Sequence, residues 1–526
     1  MSGHVFIVHG DLRQLSCDAW LMPTDLNASP LKRWMGWPAE ERHYFDPVAP
    51  KRWAVDGLRT FKLEGWPEGR PQPWLTNVGA SPRLGIPWFV EGAAQFLEHA
   101  ADDVVKDAPR CGRARHLLAL PIVGTGFGGA RRYAGEMVRE LLPVLEEFAR
   151  RREMDVALVT IEGAAFAAAQ AERARRDGKF SELDAPLKAH GERLAKAAAE
   201  GNLVLFLGAG VSAGAGMPTW GRLLDDLGEE AGMMPEERAA LSSLNVLDQA
   251  GILEKRLGGG AALSQAVARR CDAFHPALSH FLLAALPVRE AVTTNYDRLF
   301  EIASESTMGP VSVLPHAALP GAPRWLLKMH GCVSVPEDIV LTREDYMRYE
   351  ARRAALAGIV QALLITRHML FVGFSLNDDN FHRITDAVRR AMRPAEGKAK
   401  KERFGTSLSL RPEPLMEELW RDDVEWVPLG KGGKDPSAFP RAARRLEILL
   451  DFVLARATTA GSHLLEPRYE PVLSPADKAL RDVVNRLLVD VPPEARDAAG
   501  WGRVAELIRS FGGDPEGWTA GKSRFE

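Results

Sequence analysis

Hydrophobic and polar positions alternate in short blocks along the first part of the chain. Short apolar runs predict buried strands, and one longer stretch has the three- and four-residue spacing of an amphipathic helix. The predicted strands are Val5–Val8, Ala19–Met22, His116–Val123 and Val156–Ile161, and the predicted helix is Tyr133–Arg150. Strands and helices that alternate in this way predict a layered α/β domain over residues 1–175.

One stretch of this domain, from Leu31 to Trp88, does not follow the alternation. It is rich in proline, glycine and tryptophan, and its tryptophans are Trp34, Trp37, Trp53, Trp66, Trp74 and Trp88. One interpretation is an irregular insertion that packs its own aromatic side chains. The other is a lid or a partner surface, because tryptophan is a frequent anchor of protein interfaces.

The alternation resumes after a charged stretch that we interpret as a linker helix over residues 176–200. Gly201 follows this helix at the place where a C-cap glycine is common. Over residues 201–457, the predicted strands are Leu203–Leu207, Glu290–Thr294, Leu326–Met329, Met369–Phe374 and Val424–Leu429. This pattern predicts a Rossmann-like, doubly wound parallel sheet with a helical insertion, in which ligands bind beyond the carboxyl ends of the strands.

The last part of the chain is predicted to be helical. A helix from Ser437 to Ala457 closes the second domain, and residues 458–526 form a small helical C-terminal extension. Within this extension Ser474, Pro475 and Asp477 are an N-cap, a first-turn proline and an acidic third position, the usual start of a helix.

Composition excludes several classes of protein. The chain has 526 residues, and its 67 basic and 70 acidic residues give a formal net charge of -3, which offers no evidence for nucleic acid or membrane binding. Its four cysteines exclude a disulfide scaffold and suit a reducing cytosol. No targeting signal opens the chain, and the longest uncharged stretch, residues 201–221, has too many glycines for a membrane span. We therefore expect a cytoplasmic protein.

The strongest chemical signal is LVLFLGAGVSAGAGMPTW, which begins at Leu203. A buried strand leads into a turn at Gly208, Ala209 and Gly210, where small residues let the backbone approach a phosphate. A purely structural turn is the alternative. Three further short segments lie at the ends of predicted strands, and together they favour a ligand site. The first contains Asn295 and Asp297, the second His330, and the third Gly373 and Ser375.

These segments resemble a Sir2-type (sirtuin-like) domain over about residues 201–429. The resemblance rests on GAGVSAGAGMP, TTNYD, KMHG and VGFSL, and PTW, TTNYD and LTREDY resemble the bacterial defence-associated branch of the family. GTSL at Gly405–Leu408 competes with VGFSL for the last loop, and we prefer Gly373 because a buried strand precedes it.

The resemblance implies that NAD is the substrate and that its nicotinamide–ribose bond is broken. Asn295 would position a water molecule or the ribose, His330 would be the general base, and Asp297 would hold the nicotinamide amide. The implied NAD-binding residues are Gly208, Ala209, Gly210, Ser212, Pro218, Trp220, Gly373 and Ser375.

The group that accepts the ADP-ribose decides the activity. Deacetylating sirtuins carry a four-cysteine zinc module, whereas this chain has only Cys332 between His330 and Gly373. No zinc or other metal is therefore expected, and water is the favoured acceptor, which predicts a gated NAD hydrolase that depletes NAD in anti-phage defence. The alternatives are an NAD-dependent protein deacylase or ADP-ribosyltransferase, and a non-catalytic ADP-ribose or NAD sensor.

The first domain resembles a macro domain. VHGDLRQLSCDAWLMPTD and LLALPIVGTGFGGARRYA carry the resemblance, which places an ADP-ribose-like ligand between Asp11 and a loop formed by Gly124, Thr125, Gly126, Phe127 and Gly128. An assembly role is the alternative, because the catalytic asparagine-rich stretch of that family reads PTDLNAS here. The resemblances further imply a gate supplied by this domain or a partner, a homo-oligomer, and a HerA-like ATPase or a phage-derived trigger as partners.

Overall fold

The computed structural model describes residues 2–25, 57–79, 85–125, 129–176, 180–392, 403–432, 435, 437–458 and 461–515. Its strands are β1 (Val5–His9), β2 (Ala19–Thr24), β3 (Thr60–Lys62), β4 (Gln72–Asn77), β5 (Leu117–Pro121), β6 (Asp155–Thr160), β7 (Leu203–Leu207), β8 (Glu290–Thr293), β9 (Val311–Leu314), β10 (Arg324–Lys328), β11 (His368–Val372), β12 (Gly405–Ser409) and β13 (Val424–Pro428).

The helices surround two sheets built from these strands. In chain order they are α1 (Ile86–Val104), α2 (Ala134–Arg152), α3 (Gly163–Ala174), α4 (Ala185–Ala199), α5 (Ala209–Ser212), α6 (Trp220–Glu230), α7 (Pro235–Ser242), α8 (Val246–Leu257), α9 (Gly260–Cys271), α10 (Leu278–Ala284), α11 (Leu299–Met308), α12 (Arg343–Thr366), α13 (Asp379–Ala391), α14 (Pro414–Trp420), α15 (Ala438–Ala457), α16 (Pro475–Asp490) and α17 (Trp501–Ser510).

The N-terminal sheet has the strand order β1-β6-β5-β2-β4-β3. All its pairs are parallel except the edge pair of β3 and β4. The interpretation of Leu31–Trp88 as a wholly irregular insertion is therefore wrong, because it contributes two strands to this sheet. Trp66 and Trp74 are buried against the core, whereas Trp34, Trp37 and Trp53 lie outside the described residues.

The second sheet has the order β13-β12-β11-β7-β8-β10-β9, and every neighbouring pair is parallel. Of the strands in this sheet, β7 comes first along the chain and lies at the centre, and later strands are added on both of its sides. The predicted α/β fold class is confirmed. At the boundary between β7 and β11 the connections diverge to opposite sides, which opens a crevice at the carboxyl ends of the strands.

Helix α15 joins the two sheets by charged side chains on one of its faces. Arg444 donates hydrogen bonds to Asp155 at the start of β6, with Nη2 2.7 Å from Oδ1. Asp451 accepts hydrogen bonds from Arg173 and His4, at 2.6 and 2.8 Å. All five side chains are largely or fully buried, so α15 belongs as much to the N-terminal domain as to the second.

The C-terminal extension divides into two parts. Residues 461–473 pack mainly on the N-terminal domain, where Tyr469 and Pro471 lie against Gly135 of α2. Helix α16 then begins at the predicted N-cap, where Ser474 and Asp477 form a capping box. No helix among the described residues is long and apolar enough to cross a membrane.

Candidate functional site

A cavity of about 560 Å³ lies at the carboxyl edge of the second sheet. The loops after β7, β8, β10 and β11 form one side of it, and α6, α8 and α12 contribute the rest. Its lining includes Ala209, Gly210, Ser212, Pro218, Trp220, Asn295, Asp297, His330, Gly373 and Ser375. The structure therefore brings together all but one of the residues predicted for the second domain.

The residue that does not line the cavity is Gly208, because it is buried between two loops. A Cβ atom on Gly208 would lie 2.6 Å from the Cα of Phe374, and one on Gly210 would lie 2.8 Å from the Cα of Gly373. Gly210 donates its amide hydrogen to the carbonyl of Gly373, at 3.0 Å. These glycines allow the loops after β7 and β11 to touch, and a contact of Gly208 with a ligand stays a prediction.

Asn295, Ser212 and Asp297 form a hydrogen-bonded group on the floor of the cavity. The Nδ2 of Asn295 donates to the carbonyl of Gly208 and to the Oγ of Ser212, both at 3.1 Å. The Ser212 hydroxyl in turn donates to Oδ2 of Asp297, at 2.8 Å. The amide of Asn295 is thus held in one orientation, and its Oδ1 is buried with no protein partner among the described residues. A buried acceptor of this kind is available to a ligand or a water molecule.

His280 supports this group from below, and the sequence analysis did not find it. Its Nδ1 accepts a hydrogen bond from the amide of Ala277, at 3.1 Å, so its Nε2 carries the proton and faces Ser212 at 3.4 Å. Burial lowers the pKa of His280 to about 4, which keeps the ring neutral at neutral pH. The sequence gives little signal for this residue, because His280 lies in the apolar helix α10, far from the strand ends that carry the predicted site residues.

His330 lies at the opposite wall, where it is 4% exposed. The rings of Tyr346 and Tyr349 meet its imidazole edge to face, with centroids 5.5 and 6.1 Å away. Its Nε2 is buried, has no hydrogen-bond partner among the described residues, and lies 3.5 Å from Oδ2 of Asp378. Burial lowers the pKa of His330, while the Asp378 carboxylate opposes this effect and Arg353 adds to it.

A buried ion pair holds the loops that carry Asp297 and His330. The Nζ of Lys328, at the end of β10, lies 2.8 Å from Oε1 of Glu301. It also donates to the backbone carbonyls of Tyr296 and Asp297. Because Lys328 is completely buried, the two loops are fixed to each other two residues before His330.

The remaining predicted residues of the second domain stand around the cavity mouth. Trp220 begins α6, and its ring centroid is 6.2 Å from that of Tyr296. Ser375 is exposed, and Pro218 is half-buried. The competing GTSL segment, Gly405–Leu408, lies within strand β12, and none of its residues lines the cavity.

The residues predicted for the N-terminal cleft are only partly described. Asp11 is 8% exposed, and its carboxylate accepts hydrogen bonds from Nε and Nη2 of Arg13. Gly124 has a φ of 76°, and the hydroxyl of Thr125 donates to the carbonyl of Ile122. The other three predicted positions, Gly126, Phe127 and Gly128, lie outside the described residues.

The side chains of the described residues include no group of three or more histidine, cysteine, aspartate or glutamate residues that is able to hold a metal ion. The four cysteines are buried or half-buried and free. The polar side chains that line the cavity include Ser212, Asn295, Asp297, His330 and Asp378.

Comparison with known proteins finds a family match in the second domain. Residues 289–421 match the SIR2-like domain family. The predicted resemblance to a Sir2-like domain is confirmed, and the macro-like character of the first domain stays a prediction.

Individual relatives cover the same part of the chain. The chain is 31% identical over 212 residues to the NAD(+) hydrolase ThsA of Enterococcus faecium, and the aligned region covers 38% of this chain and 43% of that protein. It is 31% identical over 201 residues to ThsA of Bacillus cereus (strain MSX-D12), with 36% and 41% covered. Defense-associated sirtuin 2 of Bacillus subtilis is 26% identical over 230 residues, with 42% and 22% covered. The chain thus spans less than half the length of these relatives.

Proposed function

We propose that this protein is an NAD(+) hydrolase that releases nicotinamide and ADP-ribose, and that it depletes NAD in bacterial defence against phage. The observation that carries the proposal is the cavity, which holds Asn295, Asp297 and His330 together within a SIR2-like domain. The names of the relatives, NAD(+) hydrolase and defense-associated sirtuin, support both parts of the proposal.

In this proposal each polar group has one role. Asp297 holds the carboxamide of the nicotinamide, and Ser212 fixes the orientation of Asp297. The free Oδ1 of Asn295 accepts a hydrogen bond from the attacking water, and His330 removes its proton as the nicotinamide–ribose bond breaks. The electron pair of that bond leaves with nicotinamide, and the water oxygen bonds to the anomeric carbon.

The surroundings of His330 favour water over a protein side chain as the acceptor. Tyr346 and Tyr349 pack against its ring, and only 4% of the residue is exposed. A lysine side chain would need an open channel to this imidazole, whereas a water molecule needs only the space beside it. The same enclosure keeps bulk solvent away from the reacting ribose.

Substitution of Asn295 and His330 tests the activity. Asn295→Ala and His330→Ala are each expected to lower the rate of NAD loss about a hundredfold or more, because a general base contributes about 10²- to 10⁴-fold. Nicotinamide and ADP-ribose released by the purified full chain are measured by chromatography. An Asp386→Asn variant, changed on the exposed face of α13, is the control. Wild-type turnover in both alanine variants would contradict the proposal, and turnover only with an added protein substrate would favour a deacylase or transferase.

We further propose that the N-terminal domain or a partner gates this activity. Helix α10 provides a direct physical link, because Phe281 packs against Gly10 of the N-terminal domain while the adjacent His280 faces Ser212. An ADP-ribose-like ligand near Asp11 would therefore act close to the catalytic floor. A homo-oligomer, a HerA-like ATPase and a phage-derived trigger are further proposals, tested by NAD loss with and without each candidate in lysates of infected cells.

A further inference from the structure

Asp378 makes three separate contacts at the start of α13. Its Oδ1 accepts a hydrogen bond from the amide of Phe381, at 2.9 Å, which caps the helix. Its Oδ2 accepts a hydrogen bond from the hydroxyl of Tyr346, at 2.8 Å, and faces the Nε2 of His330 at 3.5 Å. The cap explains only the first of these contacts.

The position of Oδ2 bears on which nitrogen of His330 carries the proton. A carboxylate is an acceptor only, so a neutral imidazole that faces it does so with its N–H group. Nε2 is buried and has no hydrogen-bond partner among the described residues. The proton then resides on Nε2, and the lone pair is on Nδ1.

We propose that Asp378 is a positioning residue that holds His330 in the Nε2–H tautomer, with Tyr346 fixing the carboxylate. The inference rests on the proposed NAD hydrolase activity, in which His330 is the base. It assigns the basic lone pair to Nδ1, and it gives Asp378, the first acidic residue of NDDNF, a supporting role in the reaction. The logic is that of any carboxylate–histidine pair, in which the acid orients the ring and stabilises its protonated form without itself taking the proton.

Every charged or titratable group around His330 enters the expected pH dependence. Helix α12 presents Tyr346, Tyr349 and Arg353, and α13 presents Asp378. Burial, the largest effect, lowers the pKa of His330, Asp378 raises it, and Arg353 lowers it. Loss of the Asp378 charge therefore lowers the pKa of His330 further. Loss of the Tyr346 hydroxyl removes a hydrogen bond to the Asp378 carboxylate, so that its charge is less screened and the pKa of His330 rises.

The test compares Asp378→Asn with Tyr346→Phe in the full chain. Asparagine retains the helix cap, since it caps helices as well as aspartate does. Histidine-selective NMR follows the titration of His330, whose signal is assigned by its loss in His330→Gln. We expect the titration midpoint to move down in Asp378→Asn and up in Tyr346→Phe, and to stay unchanged in the control Asp386→Asn. The rate of NAD loss in Asp378→Asn should fall about tenfold or more, with its acidic limb moved to lower pH.

The outcomes separate this inference from the proposed function. An unchanged midpoint in Asp378→Asn, or the same direction of change in both variants, would overturn the inference even if NAD is hydrolysed. Opposite shifts in a protein that does not hydrolyse NAD would support the pairing of Asp378 with His330 while refuting the proposed function. If Asp378→Asn fails to fold, the direction of the shift in Tyr346→Phe decides, with an upward shift supporting the inference and no shift overturning it.

Discussion

At the scale of single residues, Gly373 is the position where a minimal change should have a large effect. Its φ of 65° lies in the left-handed region, and a Cβ atom there would come within 2.8–2.9 Å of the Gly210 backbone. Gly373→Ala is therefore expected to lower the free energy of unfolding by about 2–3 kcal/mol. An alanine here would adopt a strained backbone conformation, and its Cβ atom would overlap with backbone atoms of the loop after β7. Urea unfolding of the purified protein measures this change.

Gly221→Ala is the matched control for that substitution. Gly221 lies in α6, and no atom lies within 4 Å of the position its Cβ would take. Alanine is favoured over glycine in a helix by up to about 1 kcal/mol, so this variant should be as stable as the wild type or more so. Equal destabilisation of both variants would show that the close contact of the two loops is not what Gly373 provides.

Individual site residues differed in how far the sequence predicted them. Asn295 and His330 follow apolar strands directly, and the carboxyl ends of parallel strands meet at one edge, so their proximity could be predicted. Asp378 was not among the predicted site residues, because sequence spacing does not reveal a contact with Tyr346, which lies 32 positions away. His280 gave little signal, since its role depends on α10 being packed under Ser212.

At the scale of elements, the apolar periodicity predicted most strands, including the edge strands β1 and β13, and it missed β3, β4, β9 and β12. β7 lies where predicted, from Leu203 to Leu207, because a central strand is apolar on both faces. β12, with the sequence GTSLS, and the three-residue edge strand β3 were missed because neither contains the apolar run that marks a strand in the sequence.

The buried carboxylate of Asp451 is expected to stabilise the contact between helix α15 and the N-terminal domain. Asp451→Asn leaves Arg173 buried without its counter-charge, which should cost about 3–5 kcal/mol at pH 7. Burial alone would raise the pKa of Asp451, but Arg173 and His4 outweigh it and hold the pKa below the ordinary value of 3.8. The stabilisation is therefore present above that value and is lost as the pH falls through the lower pKa of the folded protein.

Urea unfolding between pH 7 and pH 3 measures this dependence. The difference in stability between the wild type and Asp451→Asn should be largest near neutral pH and should shrink as the pH falls below about 4. Glu192→Gln removes an exposed ion pair between α4 and Arg456, which lies on α15 like Asp451, and this variant should show no such trend. A difference that is independent of pH would refute a stabilising charge on Asp451.

At the scale of the whole molecule, the two α/β domains touch directly behind the cavity. Cys111 of the N-terminal domain lies with its Sγ 3.5 Å from the position of a Cβ on Gly216, in the loop that continues to Pro218. The amide of Ser16 also donates to the carbonyl of Pro276, at 2.9 Å. Together with the charged face of α15, these contacts join the two domains directly.

Gly216→Cys tests whether the domains must separate for activity. Oxidation is expected to join the new thiol to Cys111, as measured by mass spectrometry of the digested protein, and NAD loss should stay within about twofold of the reduced variant because the contact already exists. Gly232→Cys, with a similar φ of 71° and no neighbour within 4 Å, controls for backbone strain. If oxidation abolishes NAD loss in Gly216→Cys alone and a reductant restores it, the active state requires the domains to part at this contact, and gating works by domain movement instead of through α10.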